Sequence, residues 1–363
     1  MSARVVVAMS GGVDSSVAAA ILREQGYDVV GIAMRLASQE HGAKGRQVCC
    51  SYDDFEDARR VAERMDFPFY VVDLRAEFEA RVIDNFVDEY LAGRTPNPCV
   101  MCNREIKFAR LWRRAQALGA EFVATGHYAR INRDSGGRFH LRRALDPAKD
   151  QSYFLFAMTQ TELARTLFPL GEMTKAEVRA RARSLGLANA DKPESQEICF
   201  VPDRDYADLV ARRADPSKVK TGRIIDGGGR VLAEHNGIHR FTVGQRRGLG
   251  VSAGEPLYVR EIDPVRGHVT VGSREELTAA GLRADRVSLV DERLAAGGDR
   301  EIQVKIRYRH PAIAANLKLL ARDRAEVRFV TNGYPAVTPG QACVFYDHDE
   351  VLGGGFIQHA LKE

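Results

Sequence analysis

Short apolar runs alternate with helical patterns over the first 130 residues. Four runs are too short for helices, so they predict strands at Arg4–Ala8, Asp28–Met34, Phe69–Val72 and Glu121–Thr125. Between them, apolar positions at helical spacing predict helices at Tyr52–Met65, Glu77–Leu91 and Glu105–Leu118. Strands separated by helices of this length form βαβ units. The pattern therefore predicts an α/β domain with a doubly wound, Rossmann-like parallel sheet.

The pattern changes near residue 205, where short alternating runs punctuated by Gly and Pro replace the helical spacing. This change predicts two smaller β-rich domains, the last of them a β-barrel. We expect domains at residues 1–205, 206–280 and 281–363. The glycine triplets Gly227–Gly229 and Gly353–Gly355 are expected to form turns. The expected strands are Gly222–Ile225, Leu257–Glu261, His268–Val271, Gln303–Arg309, Ala325–Phe329 and Ala342–Tyr346.

The composition excludes a fibre, a disordered chain and a disulfide mini-protein, because 363 residues with 45% hydrophobic content suffice for two or three cores. The 53 Lys and Arg against 49 Asp and Glu leave a net charge of +4, which favours an anionic partner only weakly. No apolar run approaches the roughly 20 residues that span a bilayer, and the first residues lack the features of a signal peptide. We therefore expect a cytoplasmic protein with no membrane partner. In that reducing compartment, catalytic, metal-binding or buried thiols are favoured over structural disulfides.

A loop suited to phosphate follows the first predicted strand, with the sequence Ser10-Gly11-Gly12-Val13-Asp14-Ser15-Ser16. Two glycines let the backbone bend closely around a ligand, and the next helix begins with N–H groups and the positive end of its dipole. The string lacks the lysine of a kinase-type P-loop and the third glycine of a dinucleotide fingerprint. An ordinary strand-to-helix turn is the alternative for the two glycines alone. The complete string, placed after a buried strand, favours an anion site.

A Pro-rich loop holds a second candidate site, the C-x-x-C pair Cys99 and Cys102. We expect Asn103 to cap the helix that follows, which would place Cys102 at a helix N-terminus, where the dipole favours a thiolate. Such a pair belongs to a zinc site, an iron–sulfur site or a redox and sulfur-handling pair. Because no second pair with zinc-ligand spacing follows, a structural zinc is disfavoured.

The remaining cysteines differ in their surroundings. Cys199 lies in a stretch with neither helical spacing nor strand alternation. Cys343 alternates with apolar neighbours and is expected to be buried and inert. Adjacent cysteines rarely face one site, so we expect no chemistry from Cys49 and Cys50.

The phosphate loop resembles the PP-loop of the N-type ATP pyrophosphatases, which split ATP between the α- and β-phosphates. Further motifs follow in order along nearly the whole chain. Together with the loop, this series resembles the tRNA-specific 2-thiouridylase family. The motifs are CCS at 49–51, GRTPNPCVMCN at 93–103, ATGHYAR at 124–130, KDQSYFL at 149–155, SQEICF at 195–200, TVGQRRGLG at 242–250, RYRH at 307–310 and TPGQACVFY at 338–346.

The resemblance implies that ATP with Mg²⁺ adenylates the C2 oxygen of the wobble uridine in tRNA. A persulfide sulfur on Cys199, delivered by a sulfur-relay protein, would then replace AMP. Cys102 would be the other catalytic thiol, either releasing sulfide from the persulfide or attacking it to form a Cys102–Cys199 disulfide. Asp14 would lie near the metal and the pyrophosphate, and Met34 beside the adenine. The implied ATP contacts are Ala8, Met9, Ser10, Gly11, Gly12, Val13, Asp14, Ser15, Met34 and Gly126.

The same resemblance implies tRNA contacts in both halves of the chain. Residues 97–99 would meet the target base, and the β-rich half would hold the RNA while that base is extruded. We expect a monomer. The implied tRNA contacts are Asn97, Pro98, Cys99, His127, Lys149, Asp150, Gln151, Arg307, Tyr308 and Gln341.

Cys99 departs from the family pattern, because many members carry an aspartate there that handles a proton at the target base. A thiol is a poorer proton acceptor at neutral pH. Either Cys99 serves in that role, or another group moves the proton, or Cys99, Cys102 and Cys199 hold a [4Fe–4S] cluster that carries the sulfur. Two other functions stay open at this point: a PP-loop enzyme with a different substrate, and an inactive RNA-binding protein.

Overall fold

The computed structural model describes residues 2–36, 52–193, 198–201, 205–252, 254–296, 298–331 and 334–362. The chain forms two compact units, each assembled from separate stretches of sequence. The expected domain limits at residues 205 and 280 stay a prediction, and Cys49 and Cys50 lie outside the described residues. Unit 1 contains Met1–Val82, Cys99–Arg204 and Asp349–Val351, and unit 2 contains Ile83–Pro98, Asp205–His348 and Leu352–Glu363.

A parallel sheet lies at the centre of unit 1. The strands of this unit are β1 (Arg4–Ala8), β2 (Asp28–Arg35), β3 (Phe69–Asp73), β4 (Phe122–Thr125), β5 (Ala129–Arg133), β6 (Phe139–Arg143) and β7 (Thr166–Leu167). Five of them pair in the order β3-β2-β1-β4-β7, and every neighbouring pair is parallel. The chain winds outward from β1 to β3 and then returns to the other side of β1 at β4. This confirms the predicted doubly wound sheet and places its switch point between β1 and β4.

Most of the α-helices alternate with these strands along the chain, and two of them belong to unit 2. They are α1 (Val13–Glu24), α2 (Tyr52–Arg64), α3 (Arg75–Phe78), α4 (Asp84–Leu91), α5 (Pro98–Met101), α6 (Arg110–Ala117), α7 (Gln160–Leu163), α8 (Lys175–Ser184) and α9 (Tyr206–Arg213). Two π-helical segments, Glu79–Ile83 and Cys102–Lys107, follow α3 and α5 directly. Helix α1 buries Val17, Ala18 and Leu22 in the same core as Val5 and Val7 of β1. Among the described residues, no helix has the length and apolar character needed to cross a membrane.

The helix after the Pro-rich loop begins earlier than predicted. It starts at Pro98, because the fixed φ of proline suits a first helical position. Asn103 therefore lies inside the helical segment, and its side-chain amide donates to the carbonyl of Phe154 at 3.2 Å. The prediction that Asn103 caps a helix is wrong. Cys102 lies more than one turn into this segment, whereas Cys99 lies in its first turn.

A hairpin of β5 and β6 completes unit 1, and it was not foreseen from the sequence pattern. Its second strand pairs antiparallel with Glu350 and Val351, from near the end of the chain. The ring of His140 lies between Glu350 and Asp134, with nitrogen–oxygen distances of 2.6 and 3.0 Å. A distant segment of sequence is thus part of the first unit.

A four-stranded sheet forms one part of unit 2. Its strands are β8 (Gly222–Ile225), β9 (Val231–His235), β10 (Tyr258–Asp263) and β11 (His268–Gly272), in the order β10-β11-β8-β9. The predicted turn at Gly227–Gly229 joins β8 and β9, and the Asp226 carboxylate accepts from the backbone N–H groups of Gly228 and Arg230 at 3.0 Å. Val259, Val269 and Val271 are fully buried in its core.

A closed six-stranded barrel forms the other part of unit 2. The remaining strands are β12 (Thr278–Ala279), β13 (Gly281–Leu289), β14 (Arg300–Lys305), β15 (Ile313–Ala321), β16 (Arg324–Phe329), β17 (Tyr334–Pro335), β18 (Ala342–Asp347) and β19 (Glu350–Leu361). The barrel strands pair in the order β13-β16-β15-β14-β18-β19, and β19 also pairs with β13, which closes the barrel. This confirms the predicted terminal barrel.

Two sequence predictions for the barrel are wrong. Gly353–Gly355 form no turn but lie within β19, where the chain crosses β13 at short range. A Cβ atom at Gly353 would lie 2.4 Å from the Ser288 carbonyl oxygen, so only glycine fits. The strand expected to reach Arg309 ends at Lys305, because a bend and a turn lead into Pro311.

Candidate functional site

The predicted phosphate loop folds as a tight turn between β1 and α1. Gly11 has a φ of +74°, and a Cβ atom there would lie 2.2 Å from the Asp54 carbonyl oxygen, so this position requires glycine. The Ser15 and Ser16 hydroxyls donate to the Gly12 carbonyl at 3.1 and 3.0 Å. The side-chain amide of Asn189 donates to the Gly11 carbonyl at 3.0 Å. Hydrogen bonds from α1 and from Asn189 therefore fix the conformation of the loop, which leads directly into the N-terminus of α1.

A charged cluster lies in the first turn of α1. Both carboxylate oxygens of Asp14 accept from the Lys175 ammonium, at 2.7 and 2.9 Å. The Tyr128 hydroxyl donates to the same carboxylate at 2.8 Å. The Lys175 nitrogen also lies 5.9 Å from the centre of the Tyr128 ring. Asp14 was expected near a metal, but Lys175 and Tyr128 were not among the predicted site residues.

The other expected ATP contacts lie at the same edge of the sheet. Ala8 pairs with Thr125 of β4 and with Ile32 of β2, so the carboxyl ends of all three strands meet beside the loop. Gly126 follows Thr125, and a Cβ atom there would lie 2.7 Å from the Ser15 nitrogen. Met34 is buried near the end of β2. The structure thus brings the predicted ATP-site residues together at the switch point.

His127 lies just beyond Gly126 and is almost fully buried. A ring nitrogen of His127 is 2.7 Å from the Thr125 hydroxyl, and the rings of Phe108 and Phe168 lie about it. Burial, together with the charge of Lys107, holds the pKa of His127 well below its usual value. The imidazole is therefore neutral near pH 7.

Lys149, Asp150 and Gln151 follow the hairpin in unit 1. The buried Asp150 carboxylate accepts from the backbone N–H groups of Ala144 and Ser152, both at 3.1 Å. The Gln151 side chain accepts from the Tyr128 backbone N–H at 3.0 Å. Asp150 therefore links Ala144 to Ser152, Gln151 fixes the backbone at Tyr128, and Lys149 is half-buried. Their contact with tRNA stays a prediction.

The three described cysteines of unit 1 differ in exposure. Cys102 is buried, Cys199 is half-buried and Cys99 is exposed. Helix α3 contacts the segment that begins at Cys102, and Phe78 of α3 packs against Phe200, the residue after Cys199, with ring centres 5.6 Å apart. One short helix therefore touches both thiol-bearing segments. Among the described residues, no group of three His, Cys, Asp or Glu side chains converges as a metal site would require.

In the barrel, Cys343 is fully buried, as the sequence predicted. Burial raises the pKa of this thiol to about 12, so it stays protonated and unreactive.

Four motifs from distant parts of the sequence converge within unit 2. The Gln341 side-chain amide donates to the carbonyls of Thr95 and Pro96, at 3.0 and 3.2 Å. Thr95 in turn bonds Thr242 through their hydroxyls, at 3.2 Å. The Arg307 guanidinium donates to the Thr338 hydroxyl at 2.9 Å. The loop that carries Asn97 and Pro98 is thus fixed by Gln341, near Arg307 and Tyr308.

Lys175 was not predicted as a site residue, although the sequence around it gives an indication of its position. Thr174 and Glu177 have the spacing of a capping box, and each satisfies the other's backbone N–H in the structure. That motif places Lys175 at the first helical position, where its charge opposes the helix dipole. A cation at the N-terminus of a helix indicates an anionic partner elsewhere in the fold. In the structure, that partner is Asp14.

The parallel sheet, with a glycine-requiring turn at its switch point, is typical of an α/β nucleotide-binding domain, and two β-rich domains follow it. Three family models match the chain in this order: the tRNA methyl transferase HUP domain over residues 3–203, the tRNA methyl transferase PRC-barrel domain over 214–273 and the aminomethyltransferase beta-barrel domain over 279–357. The chain belongs to the tRNA-specific 2-thiouridylase family, and it is an enzyme of the tRNA sulfurtransferase class.

Curated relatives match over nearly the full length. The tRNA-specific 2-thiouridylases MnmA of Geotalea uraniireducens and Geobacter metallireducens are each 54% identical and cover 99% of this chain, with 96% and 98% of their own lengths matched. That of Solibacter usitatus is 51% identical over 98% of this chain and 99% of its own.

Solved structures match more distantly. An NMN synthetase from Francisella tularensis is 14% identical over 60% of this chain and 79% of its own, with a TM-score of 0.35. A 4-thiouridine synthetase in complex with RNA and ATP is 16% identical over 58% of this chain and 50% of its own, with a TM-score of 0.38.

Proposed function

We propose that this protein uses ATP to thiolate C2 of the wobble uridine in tRNA, with 2-thiouridine, AMP and pyrophosphate as products. The observation that carries the proposal is the glycine-requiring anion turn at the switch point of the sheet, in the same unit as Cys102 and Cys199. Membership of the 2-thiouridylase family supplies the target base. The turn supports ATP as the activating reagent, because its N–H groups and helix dipole favour phosphate.

In the first step, the C2 oxygen of the uridine attacks the α-phosphorus of ATP. The bond from this phosphorus to the β-phosphate bridge breaks, and its electron pair leaves with pyrophosphate. The product carries AMP on C2, which converts a poor leaving group into a good one. Asp14 fits a role beside Mg²⁺, because such ions are commonly held by one or two carboxylates together with phosphate oxygens. Bound Mg²⁺ would neutralise phosphate charge.

In the second step, the terminal sulfur of a Cys199 persulfide replaces AMP at C2. In one order of events it attacks C2 directly, and the Cys102 thiolate then attacks the Cys199 sulfur to free the thiolated base. In the other order, Cys102 attacks first and releases sulfide, which attacks C2. Both orders leave a Cys102–Cys199 disulfide, which a thiol reductant must return to two thiols. The packing of α3 against both segments supports their meeting.

A [4Fe–4S] cluster on Cys99, Cys102 and Cys199 does not fit this arrangement. These three residues are described, and they form no convergent ligand group. This arrangement favours the persulfide route over sulfur carried by a cluster. The exposed Cys99, in the first turn of its helix, is proposed instead to accept the proton that the target base loses.

We propose that the tRNA contacts fall into two sets. The first set, His127, Lys149, Asp150, Gln151 and Cys99, belongs to unit 1 together with the phosphate turn. Asn97, Pro98, Arg307, Tyr308 and Gln341 belong to unit 2, where Gln341 fixes the loop of the first two. A sulfur-relay protein would load Cys199, and the enzyme would act as a monomer.

The test combines unmodified tRNA, ATP and a small-molecule persulfide with the purified protein. Nucleoside mass spectrometry should find 2-thiouridine, with one AMP and one pyrophosphate for each base thiolated. C199S and C102S should abolish the product, whereas C343S, at a buried thiol, should retain it. Thiolation that persists in C199S with the persulfide would contradict the role of Cys199.

The same assay separates the rival functions. A PP-loop enzyme with a different substrate would form AMP only when that other substrate is supplied. An inactive RNA-binding protein would bind tRNA and release no pyrophosphate.

A further inference from the structure

Helix α6 carries a cluster of arginines on its exposed side. Its sequence, RLWRRAQA, contains three arginines and no acidic residue, and its buried residues are Leu111 and Ala115. Arg113 and Arg114 are exposed, and Arg110 is half-buried. Within the described part of the chain, no carboxylate pairs with any of these three guanidinium groups. We call Arg110, Arg113 and Arg114 the α6 arginine face.

The residues around α6 add further positive charge. Residues 102–118 contain five basic residues and one acidic residue, so this segment alone has a net charge of +4, equal to that of the whole chain. The acidic residue, Glu105, is paired with Arg104 at 2.9 Å. The guanidinium of Arg165 lies 5.1 Å from the centre of the Trp112 ring and brings another cation to α6. The rest of the chain is thus balanced in charge, whereas this region is strongly positive.

Helix stability does not account for this arrangement. Arg110 lies three residues before Arg113 and four before Arg114, which are the spacings at which like charges on a helix repel each other. Arg110 is also the first residue of α6, where a cation opposes the helix dipole. The repulsion destabilises the helix, and a polyanion bound to the α6 arginine face would remove it.

The direction of α6 determines where this charge lies relative to the phosphate turn. The helix ends at the amino end of β1, because the Arg4 guanidinium donates to the Leu118 carbonyl at 2.8 Å. Its first turn is therefore directed toward the carboxyl edge of the parallel sheet, which holds the phosphate turn. The charge of Lys107, just before α6, lowers the pKa of His127, which follows Gly126. The positive region thus extends from the nucleotide site outward along unit 1.

RNA fits this surface better than a protein partner does. An RNA strand carries a negative charge at every nucleotide, and arginine binds phosphate through paired N–H groups. Protein interfaces are instead centred on apolar or aromatic side chains that become buried. Among the described residues, none of the exposed large hydrophobic side chains lies in residues 102–118. The proposed reaction brings a polyanion of the first kind, tRNA, to unit 1.

We propose that the α6 arginine face binds the sugar–phosphate backbone of the tRNA substrate. The inference rests on the proposed function and adds a contact surface that lies outside all the tRNA contacts implied by the sequence motifs. The contact is independent of base sequence, because phosphates carry no sequence information. It holds the RNA while the target base lies in the site, and it takes no part in the chemical steps.

The test is equilibrium binding of unmodified tRNA to the full-length protein over a range of salt concentrations. R113Q/R114Q should weaken binding about 10-fold or more at 0.1 M salt, because two phosphate contacts are lost. For the same reason, the slope of log affinity against log salt concentration should become shallower by about 1 to 2. R113K/R114K, which keeps both charges, should retain most of the slope. ATP binding by each variant checks that unit 1 is folded.

R59Q/R60Q is the matched control. Arg59 and Arg60 are also adjacent, exposed arginines on a helix of unit 1, but each is paired with a carboxylate, Glu56 at 3.3 Å and Asp57 at 3.8 Å. This variant removes the same net charge and should bind tRNA with the affinity and the salt slope of the wild type. Equal losses in both double variants would show an effect of net charge alone and overturn the inference, as would unchanged tRNA binding in R113Q/R114Q.

A second measurement needs no variant. Arginines of the wild type are modified with phenylglyoxal and identified by mass spectrometry. Bound tRNA should slow the modification of Arg113 and Arg114 but not that of Arg59 and Arg60, and ATP alone should slow neither pair. Modification of Arg113 and Arg114 that tRNA leaves unchanged would overturn the inference.

The remaining outcomes are distinct. If the face binds an acidic protein instead, R113Q/R114Q would slow the loading of Cys199 by a sulfur-donor protein and leave tRNA binding intact, which overturns the inference. If the wild type binds no tRNA, the proposed function fails. If the wild type and R113Q/R114Q bind tRNA alike and both thiolate it, only this inference fails.

Discussion

At the scale of single residues, burial sets the chemistry of His127. Its ring is packed between aromatic side chains and bonded to Thr125, and Lys107 adds an unfavourable charge, so its pKa is held well below the usual value. Protonation would place a cation in a buried environment beside the positive charge of Lys107. His127 can therefore accept a hydrogen bond near the nucleotide site, but it does not act there as a charged phosphate contact.

This burial predicts a pH dependence of stability. The unfolded state takes up a proton near the ordinary histidine value of 6.5, whereas the folded state does not. Stability is therefore lost as the pH falls below that value. From pH 7.5 to 5.5, the free energy of unfolding of H127Q should fall by about 1 kcal/mol less than that of the wild type. Urea titrations at both values measure this. H348Q, at an exposed histidine, should behave like the wild type, and parallel curves for H127Q would contradict the account.

Cys99 carries a second prediction at this scale. A carboxyl group is ionised throughout the neutral range, whereas an ordinary thiol is mostly protonated there. C99D should therefore retain more of its pH 8 thiolation rate at pH 6 than the wild type does, by about threefold or more if proton transfer limits the rate. C99A is the control without a titrating group. Identical profiles for the three proteins would rule out Cys99 as the proton acceptor.

At single residues, local structure could be predicted from the sequence where a motif is contiguous. Contacts between residues that are distant in sequence could not. The anion turn was evident, because Gly11 and Gly12 follow a buried strand directly. Lys175 was missed, because only the fold brings it to Asp14, 161 residues away. Asn103 was misjudged, because Pro98 starts the helix earlier than its apolar spacing suggests.

At the scale of elements, two close strands of the barrel depend on glycine. Gly353 has a φ of +152°, and a Cβ atom there would approach the Ser288 carbonyl to 2.4 Å. G353A should therefore lower the free energy of unfolding by about 1–3 kcal/mol through strain between β13 and β19. G254A is the matched control, because its Cβ would meet no atom within 4 Å. Equal denaturation midpoints for the two variants would refute this.

The parallel sheet could be predicted, whereas the hairpin could not. Each strand of the sheet is a short buried run that is followed by a helix, so a local pattern suffices. The β5–β6 hairpin carries charged residues on much of its length, and its pairing partners, Glu350 and Val351, lie more than 200 residues away. In the sequence, the glycines of β19 have the composition of a turn. The structure shows that they are required by the close approach of β13.

At the scale of the whole molecule, the chain alternates between its two units. The motif around the C-x-x-C pair is continuous in sequence, yet residues through Pro98 belong to unit 2 and residues from Cys99 to unit 1. Asp349–Val351 likewise return to unit 1. Sequence alone could predict three domains in series but not this exchange of segments.

The exchange predicts that a fragment ending at residue 204 is incomplete. It lacks Glu350 and Val351, which pair with one side of β6, and the Asp349 carboxylate, which accepts from Arg130 at 2.9 Å and Arg142 at 3.2 Å. Hydrogen exchange in peptides covering residues 129–143 should be faster in the fragment than in the full chain. Peptides from β1, at the centre of the sheet, are the internal reference. Equal protection of the hairpin in both would contradict the assignment of residues 349–351 to unit 1.

The central claim is that Cys102 and Cys199 act together on an ATP-activated uridine. One turnover with persulfide-loaded enzyme, unmodified tRNA and ATP, without reductant, tests it most directly. Peptide mapping should find one disulfide that joins Cys102 to Cys199 for each 2-thiouridine formed, and no 2-thiouridine should form when ATP is omitted. Formation of 2-thiouridine with both cysteines still present as thiols would contradict the account.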